Sequence, residues 1–175
     1  MDRDYYFNHW STNVYDNQQH DPTSAHGQMD DVRYILSTMG NAPKRVLEVA
    51  CGGGRILESI ARAGHHVTGF EMDDDILEKC TVRIKDLKDA ACYKANAVTE
   101  NWGTYYEVVV MGGNLLVNIE GFSDMDYEQA QRLFINKAAS SLVPHGRLFL
   151  ECVCEAVFPT FFDPQEYTIP KGKMI

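Results

Sequence analysis

Three consecutive glycines, Gly52, Gly53 and Gly54, are the residues whose type and spacing point most directly to chemistry. A ligand can approach the backbone closely where side chains are missing, and free amide N–H groups at a helix start would favour a polar or anionic group. Glu71 follows about 20 residues later, the offset at which a doubly wound sheet presents an acid to a ribose diol. The spacing predicts a site that holds two ends of one nucleoside-containing ligand.

These residues need a strand, a turn and a helix to position them. Residues 46–51 form an apolar run that is too short for a helix, and apolar residues from Ile56 to Ala61 then recur at helical spacing. Residues 66–71 (HVTGFE) are a second short segment predicted as a strand, and it ends in Glu71. The order of these segments predicts parallel strands with a helical crossover, and hence an α/β domain.

The position of Leu57 separates two classes of ligand. A dinucleotide-binding turn has the pattern G-x-G-x-x-G, in which the last glycine lets the helix pack closely against the strand around a pyrophosphate. Gly52 and Gly54 match the first pair, but the last position is Leu57. The bulky side chain favours a smaller ligand with a single nucleoside.

Two segments carry a resemblance to a known family. Residues 48–55 (EVACGGGR) and 69–72 (GFEM) resemble the first two motifs of class I S-adenosylmethionine-dependent methyltransferases. The likeness extends over about residues 5–149, and Gly113-Asn114 is similar to the matching segment of small-molecule enzymes of the glycine N-methyltransferase type. The resemblance implies a three-layer, Rossmann-like, doubly wound and mostly parallel sheet, with about five of the usual seven strands.

The resemblance also implies a cofactor and a set of residues that bind it. The cofactor would be S-adenosylmethionine, with S-adenosylhomocysteine as the product, and the methyl group would pass by in-line displacement to N or O of a small-molecule acceptor. The implied contacts to the methionine part come from Glu48, the backbone of Ala50 and Gly52, the close-approach turn at Gly54, and the backbone of Gly113. Arg55 is a candidate for the cofactor carboxylate, or equally a solvent-facing residue of the first helical turn.

The nucleoside part would be held by the ends of the next two strands. Glu71 would bind the ribose, and Met72 would lie against the adenine ring. Asn96 stands where the family usually has an aspartate that bonds the exocyclic amine of adenine, and its amide oxygen can also accept. Ala97 follows it in the same predicted adenine site.

The acceptor side has weaker signals. The sequence contains no obvious pair of nucleophile and base. The resemblance implies that Asn114 points toward the acceptor, and His20 is a candidate base, so these two are the acceptor-side catalytic candidates. Glycine-type enzymes place an arginine just after the fifth strand to hold a substrate carboxylate, whereas this chain has Glu151 and Glu155 there. These acids favour a neutral or cationic acceptor. The aromatic residues of the first 15 positions would fold over the cofactor, or pack on the sheet or on a partner subunit.

Composition limits the partners. The 175 residues carry a net charge of −9 and a pI near 5.0, which disfavours binding to nucleic acid. The five cysteines include no C-x-x-C pair, which favours core positions over a metal site and suggests reduced, cytoplasmic thiols. The sequence has no apolar run of about 18 residues and no signal-peptide pattern, so we predict no membrane partner.

The chain divides into three predicted parts: a helical cap or lid (residues 1–43), an S-adenosylmethionine-binding core (44–155) and the start of a C-terminal substrate region (156–175). The fifth strand would leave an open apolar edge, which native proteins normally cover. The favoured explanation for this open edge is that the chain is a piece of a longer protein. Alternatively, a second chain covers the edge, as in a homodimer, or the C-terminal tail covers it. Rival functions are a non-catalytic cofactor-binding module or half of a two-chain enzyme, and a nicotinamide-dependent oxidoreductase.

Overall fold

The computed structural model describes residues 25–113, 115–119 and 125–151. The described helices are α1 (Ala25–Met39), α2 (Arg55–Arg62), α3 (Asp74–Ile84), α4 (Leu115–Asn118) and α5 (Tyr127–Ser141). The described strands are β1 (Arg45–Val49), β2 (His66–Glu71), β3 (Ala90–Lys94), β4 (Tyr106–Met111) and β5 (Leu142–Leu150).

The five described strands form one parallel sheet in the order β3-β2-β1-β4-β5. β1 lies at the centre, where Val46 is level with Val67 of β2 on one side and with Val108 of β4 on the other. The strand order reverses between β1 and β4, and ligands of such sheets bind at this switch point, outside the carboxyl ends of the strands. The predicted α/β, doubly wound sheet is confirmed.

Alternate residues of the central strands pack on opposite faces of the sheet. Val46 and Val108 belong to a buried cluster with residues of α1, α2 and α3, whereas Leu47 and Val109 belong to a second cluster with residues of α5. Strands covered on both faces are near-continuously apolar, as the sequence shows. The predicted three layers are therefore present.

Helix α2 sits close to the sheet because of a glycine in β2. A Cβ added at Gly69 would lie 2.5 Å from Leu57 Cδ1 and 2.8 Å from Cys51 Cβ. Leu57 is fully buried in the space that Gly69 leaves. The bulky residue that replaces the last glycine of a dinucleotide turn is thus accommodated by a glycine on the neighbouring strand.

Helix α3 begins as predicted and ends earlier. The Asp73 side chain caps its N-terminus by accepting from the Ile76 N–H at 3.0 Å, and Asp74 and Asp75 lie in the first turn, where acids favour the helix dipole. The spacing of Cys80, Val82, Ile84 and Leu87 in the sequence predicts a helix that continues to Leu87, but the helix ends at Ile84. Val82, which this spacing places among the apolar positions, is exposed.

The residue types of Pro144-His145-Gly146 predict a loop that ends helix α5 before the last strand, but the structure has no loop there. The segment lies inside β5, which starts at Leu142 and shifts its register against β4 between Tyr106 and Val108. His145 has a φ of 65°, and a Cβ at Gly146 would lie 3.0 Å from the Val143 carbonyl oxygen. A proline is tolerated because this is an edge strand with a bulge.

β5 forms one edge of the described sheet, as the sequence predicted. What covers this edge, a second subunit or the C-terminal tail, is untested and stays a prediction, as do the three domain boundaries. The residues after 151 lie outside the described part of the chain. Among the described helices, none combines the length and apolar character that a membrane crossing requires.

Candidate functional site at the carboxyl ends of the strands

The turn between β1 and α2 has left-handed backbone at three positions. The φ angles are 52° at Ala50, 54° at Gly52 and 78° at Gly54. Residues with a Cβ avoid this region, so the turn needs Gly52 and Gly54 and carries some strain at Ala50. Gly53 has no positive φ, and an added Cβ there would meet no atom within 4 Å. The predicted turn is present, and two of its three glycines determine its shape.

The amide groups of this turn are bound within the protein. Cys51 N–H donates to the Phe70 carbonyl at 2.9 Å, Gly52 N–H to Glu71 Oε2 at 3.1 Å, and Gly54 N–H to the Cys51 carbonyl at 3.0 Å. The sequence suggested exposed amides that would favour an anion, and this expectation is wrong at these three positions. A pyrophosphate, which such turns bind through free N–H groups, would find these donors already used.

Glu71 is fixed at the end of β2 by three backbone amides. Its Oε1 accepts from Met72 N–H at 2.8 Å and from Asp73 N–H at 3.1 Å, while Oε2 accepts from Gly52 N–H. The residue is only 8% exposed. A carboxylate has about four acceptor positions, so about one remains for a ligand hydroxyl. Glu71 therefore joins the glycine turn to the end of β2, and its predicted contact with the ribose stays a prediction.

Glu48 lies beneath the start of α2 and is 3% exposed. It accepts a hydrogen bond from the Leu57 backbone, which compensates for Gly54 having no side chain to cap the helix. Burial raises the pKa of Glu48 well above its usual range, and the nearby Cys80 raises it further. Its Oε2 has no hydrogen-bond partner in the described part of the chain. Its predicted contact with the methionine amine stays a prediction.

Arg55 forms a two-pronged ion pair with Asp31 of α1. Its two terminal nitrogens donate to Asp31 Oδ1 at 2.9 Å and to Oδ2 at 2.6 Å. The two side chains are only 22% and 19% exposed. The solvent-facing interpretation of Arg55 is therefore wrong. The contact of Arg55 with the cofactor carboxylate stays a prediction. In that contact, the carboxylates of Asp31 and of the cofactor would compete for the Arg55 guanidinium.

The residues predicted to hold the base lie beyond Glu71. Met72 is half-buried directly after it, and Asn96 and Ala97 follow β3. Asn96 Oδ1 accepts from Val98 N–H at 2.8 Å, so one lone pair of the oxygen assigned to adenine is used within the loop. The Ala97 carbonyl accepts from Trp102 Nε1 at 2.9 Å.

The sequence interpretation missed Lys137 of α5. Its ammonium donates to the carbonyls of Ala97, Val98 and Glu100 at 2.9, 2.5 and 2.7 Å. A signal was available, because Phe134, Ala138 and Ser141 define the buried stripe of α5 and Lys137 lies within that spacing. A lysine on a buried stripe needs acceptors that the sequence alone does not identify.

The ends of β4 and β5 meet on the other side of the switch point. Gly113 has a φ of 64°, and its N–H donates to Glu151 Oε2 at 2.7 Å. A Cβ at Gly112 would lie 2.7 Å from Ile56 Cδ1, so a glycine is needed for α2 to reach this point. Glu151 is exposed. The structure thus places the predicted residue Gly113 beside an acidic side chain.

Some predicted residues lie outside the described part of the chain: Asn114, His20 and the aromatic residues of the N-terminal segment. Their roles stay predictions. In the described residues, no group of three or more His, Cys, Asp and Glu side chains could hold a metal ion.

The chemistry of the site fits a ligand with a single nucleoside, as predicted from the sequence. The three amide donors are occupied, whereas an acceptor position remains on Glu71 and the buried Oε2 of Glu48 lacks a partner in the described residues. Acceptors suit ribose hydroxyls and a cationic group. They do not suit a pyrophosphate.

The chain is similar to known methyltransferases in sequence. The sequence model of the family described as "Methyltransferase domain" matches residues 46–146, which is more than half of the chain. A ubiquinone biosynthesis O-methyltransferase from Xanthomonas axonopodis pv. citri is 26% identical over 150 residues, covering 81% of this chain and 58% of that relative. One from Vibrio parahaemolyticus is 36% identical over 85 residues, covering 46% and 36%. The chain thus spans only part of the length of these curated relatives.

The fold is similar to a solved structure of the same class. A TehB-like S-adenosylmethionine-dependent methyltransferase from Corynebacterium glutamicum superposes with a TM-score of 0.56 at 20% identity, covering 67% of this chain and 59% of that one. At this identity the likeness establishes the architecture, and the family match establishes the relationship. The chain therefore belongs to the methyltransferase domain family and has the class I S-adenosylmethionine-dependent methyltransferase fold.

Proposed function

We propose that the protein binds S-adenosylmethionine and transfers its methyl group to a nitrogen or oxygen atom of a small molecule. The observation that carries this proposal is the carboxylate of Glu71, which three amides hold beside the glycine turn at the switch point of the sheet. The bound cofactor supplies a methyl group that is already activated by its sulfonium. The chain therefore needs to hold, orient and dehydrate the reactants, and needs no nucleophile of its own.

The described residues divide these tasks between them. Glu71 accepts from one ribose hydroxyl at its remaining acceptor position, and the turn at Gly52 and Gly54 lets the methionine part approach the backbone. Asn96 and Ala97 border the base on the far side of Glu71. Because the turn and the end of β2 are joined by the Gly52 to Glu71 hydrogen bond at 3.1 Å, the two parts of the ligand site have a fixed separation before binding. A fixed geometry reduces the entropy lost on binding.

A nicotinamide-dependent oxidoreductase is disfavoured by two observations. Leu57 fills the space where a dinucleotide turn needs its last glycine, and three amides of the turn are already bound. A non-catalytic cofactor-binding module, or half of a two-chain enzyme, is the second candidate.

The acceptor class follows from charge at the end of β5. Glu151 is exposed and lies within 2.7 Å of the Gly113 N–H, so a carboxylate acceptor would meet an anion near this point. We therefore favour a neutral hydroxyl or a cationic amine. The relatives in ubiquinone biosynthesis are named O-methyltransferases, which supports oxygen as one acceptor atom. A glycopeptide N-methyltransferase with a TM-score of 0.57 and 20% identity has the same fold.

A cytoplasmic location is part of the same proposal. It is supported by the free thiols of Cys51 and Cys80, which lie 3.9 Å apart without forming a disulfide.

Calorimetric titration with S-adenosylhomocysteine tests the cofactor assignment. The wild-type chain should bind it and should not bind NAD. Glu71→Gln should raise the dissociation constant about tenfold or more, because a hydrogen bond to a charged group is lost. The matched control is Glu78→Gln on the exposed face of α3, which should bind like the wild type.

Methyl transfer to a panel of phenols and amines then separates an enzyme from a binding module. Incorporation of labelled methyl into an acceptor supports the proposal. Cofactor binding without transfer to any acceptor class would favour the binding module. Binding of NAD in place of S-adenosylhomocysteine would overturn the assignment.

A further inference from the structure

The loop after β3, residues 96–102, is unusually well fixed, and we name it the base-side loop. Asn96 supplies two acceptors within it: its carbonyl accepts from Glu100 N–H at 2.8 Å and its Oδ1 from Val98 N–H at 2.8 Å. Trp102 closes the loop by donating from Nε1 to the Ala97 carbonyl at 2.9 Å. Internal bonds therefore define the loop's shape.

Lys137 attaches this loop to α5. The three ammonium donors are matched by the three carbonyls of Ala97, Val98 and Glu100, all within 2.9 Å. The ammonium also lies 5.5 Å from the centre of the Trp102 ring, which allows a cation–π contact. Trp102 is 3% exposed and meets Phe134 of α5 edge-on at 5.5 Å. One charged side chain thus holds three successive parts of the loop.

Geometry of the peptide plane connects Lys137 to Asn96. In a trans peptide, the C=O and the following N–H point in opposite directions. The Ala97 carbonyl is directed at Lys137, so the Val98 N–H of the same peptide is directed away from it and donates to Asn96 Oδ1. The ammonium and Trp102 Nε1, which both donate to the Ala97 carbonyl, are therefore joined through one peptide unit to the Asn96 side chain.

The base-side loop is placed to border a nucleoside. Ala95 N–H donates to the Glu71 carbonyl at 3.0 Å, so the start of the loop is bonded to the residue that would bind the ribose. The glycine turn lies on the other side of Glu71, since β1 and β3 flank β2. A ligand whose methionine part lies over the turn, with its ribose at Glu71, directs its base toward this loop.

We propose that Lys137 is a positioning residue for base recognition, acting through the Ala97–Val98 peptide to orient Asn96. The assignment rests on the proposed function, because it needs a nucleoside at Glu71. Lys137 makes no contact with the ligand in this assignment. Its loss should weaken binding of the base end of the ligand and leave the methyl-transfer step itself unchanged.

The test compares Lys137→Met with the exposed control Lys88→Met by calorimetric titration. We expect Lys137→Met to weaken both S-adenosylhomocysteine and adenosine by the same factor, about tenfold. The control should bind both like the wild type. In steady state, the variant should raise KM for the cofactor and leave kcat within about twofold. An unchanged dissociation constant with a lowered melting temperature would overturn the proposal and make Lys137 a purely structural residue.

A double-mutant cycle tests whether Lys137 affects ligand affinity through Asn96. If Lys137 acts through Asn96, then Asn96→Ala combined with Lys137→Met should lose no more affinity than Asn96→Ala alone. Asn96→Ala leaves the ammonium in place, so it remains informative if Lys137→Met fails to fold. Discrimination between S-adenosylhomocysteine and S-inosylhomocysteine, which lacks the exocyclic amine, should fall in both single variants. Additive losses would overturn the peptide-coupled mechanism, and failure of the wild type to bind either ligand would overturn the proposed function together with it.

Discussion

The two halves of the sheet's carboxyl edge are built differently. In the nucleoside half, at the ends of β1, β2 and β3, Glu71, Asn96 and the Ala97 carbonyl are each fixed by hydrogen bonds within the protein. In the acceptor half, at the ends of β4 and β5, Gly113 and Glu151 are both exposed, and the Gly113 N–H donates to Glu151 Oε2 at 2.7 Å. Among the residues that the structure describes, the predicted ligand groups of the first half are therefore held by more of these hydrogen bonds, and those of the second half are more exposed.

The difference matches what each half has to bind. A ligand that is always the same binds more tightly to a site that is already ordered, because the protein then loses little conformational entropy on binding. Because the two halves lie at the ends of different strands, substitutions in them should have separable effects.

The largest effect is expected in the glycine turn. Gly54→Ala places a Cβ 2.6 Å from Cys80 Sγ at a residue with φ of 78°, so overpacking and backbone strain add. We expect a loss of about 2–4 kcal/mol in the free energy of unfolding, measured with urea. Gly53→Ala is the matched control, because its Cβ meets no atom within 4 Å, and it should change stability by no more than about 0.5 kcal/mol. Equal losses at both positions would show that the turn is not shaped as described.

A pH effect is expected from Glu48. Its pKa is raised by burial from the ordinary value of 4.5, so the folded protein keeps the proton while the unfolded chain releases it. The stability that this group contributes is present below about pH 4.5 and is lost as pH rises to the raised pKa, at about 1.4 kcal/mol per pH unit. Glu48→Gln retains an oxygen for the Leu57 N–H and should abolish this decline.

Urea unfolding from pH 4 to pH 8 checks this expectation. The exposed Glu78→Gln control should keep the wild-type slope. A decline of the same size in Glu48→Gln would assign the titration to another group.

The smallest effect on stability is expected in the acceptor half. Glu151→Gln removes an exposed charge and keeps an acceptor for the Gly113 N–H, so the free energy of unfolding should change by no more than about 0.5 kcal/mol. Affinity for S-adenosylhomocysteine should stay the same, while kcat/KM for a cationic amine falls about tenfold relative to a carboxylate acceptor. Unchanged acceptor preference would remove Glu151 from the proposed site.

The sequence predicted the glycine turn and the position of Glu71 at the end of a strand because periodicity and spacing within short segments are diagnostic. The Arg55–Asp31 pair and the contacts of Lys137 join elements that are far apart in the chain. The buried stripe of α5 marks Lys137 itself, but no local pattern identifies the partners of these two side chains. Pro144-His145-Gly146 was misinterpreted because a bulged edge strand and a loop share the same residue types. Asn114 and His20 stay predictions.

The fit between Leu57 and Gly69 has a consequence for cofactor engineering. Exchanging Leu57 for glycine would complete the G-x-G-x-x-G sequence pattern of a dinucleotide turn. It would also leave a void the size of a leucine side chain against the sheet, which would lower the free energy of unfolding by about 2–5 kcal/mol. A larger residue at position 69 would have to refill that volume in the same step. The two positions form one steric unit, so ligand preference in this domain cannot be re-specified one residue at a time.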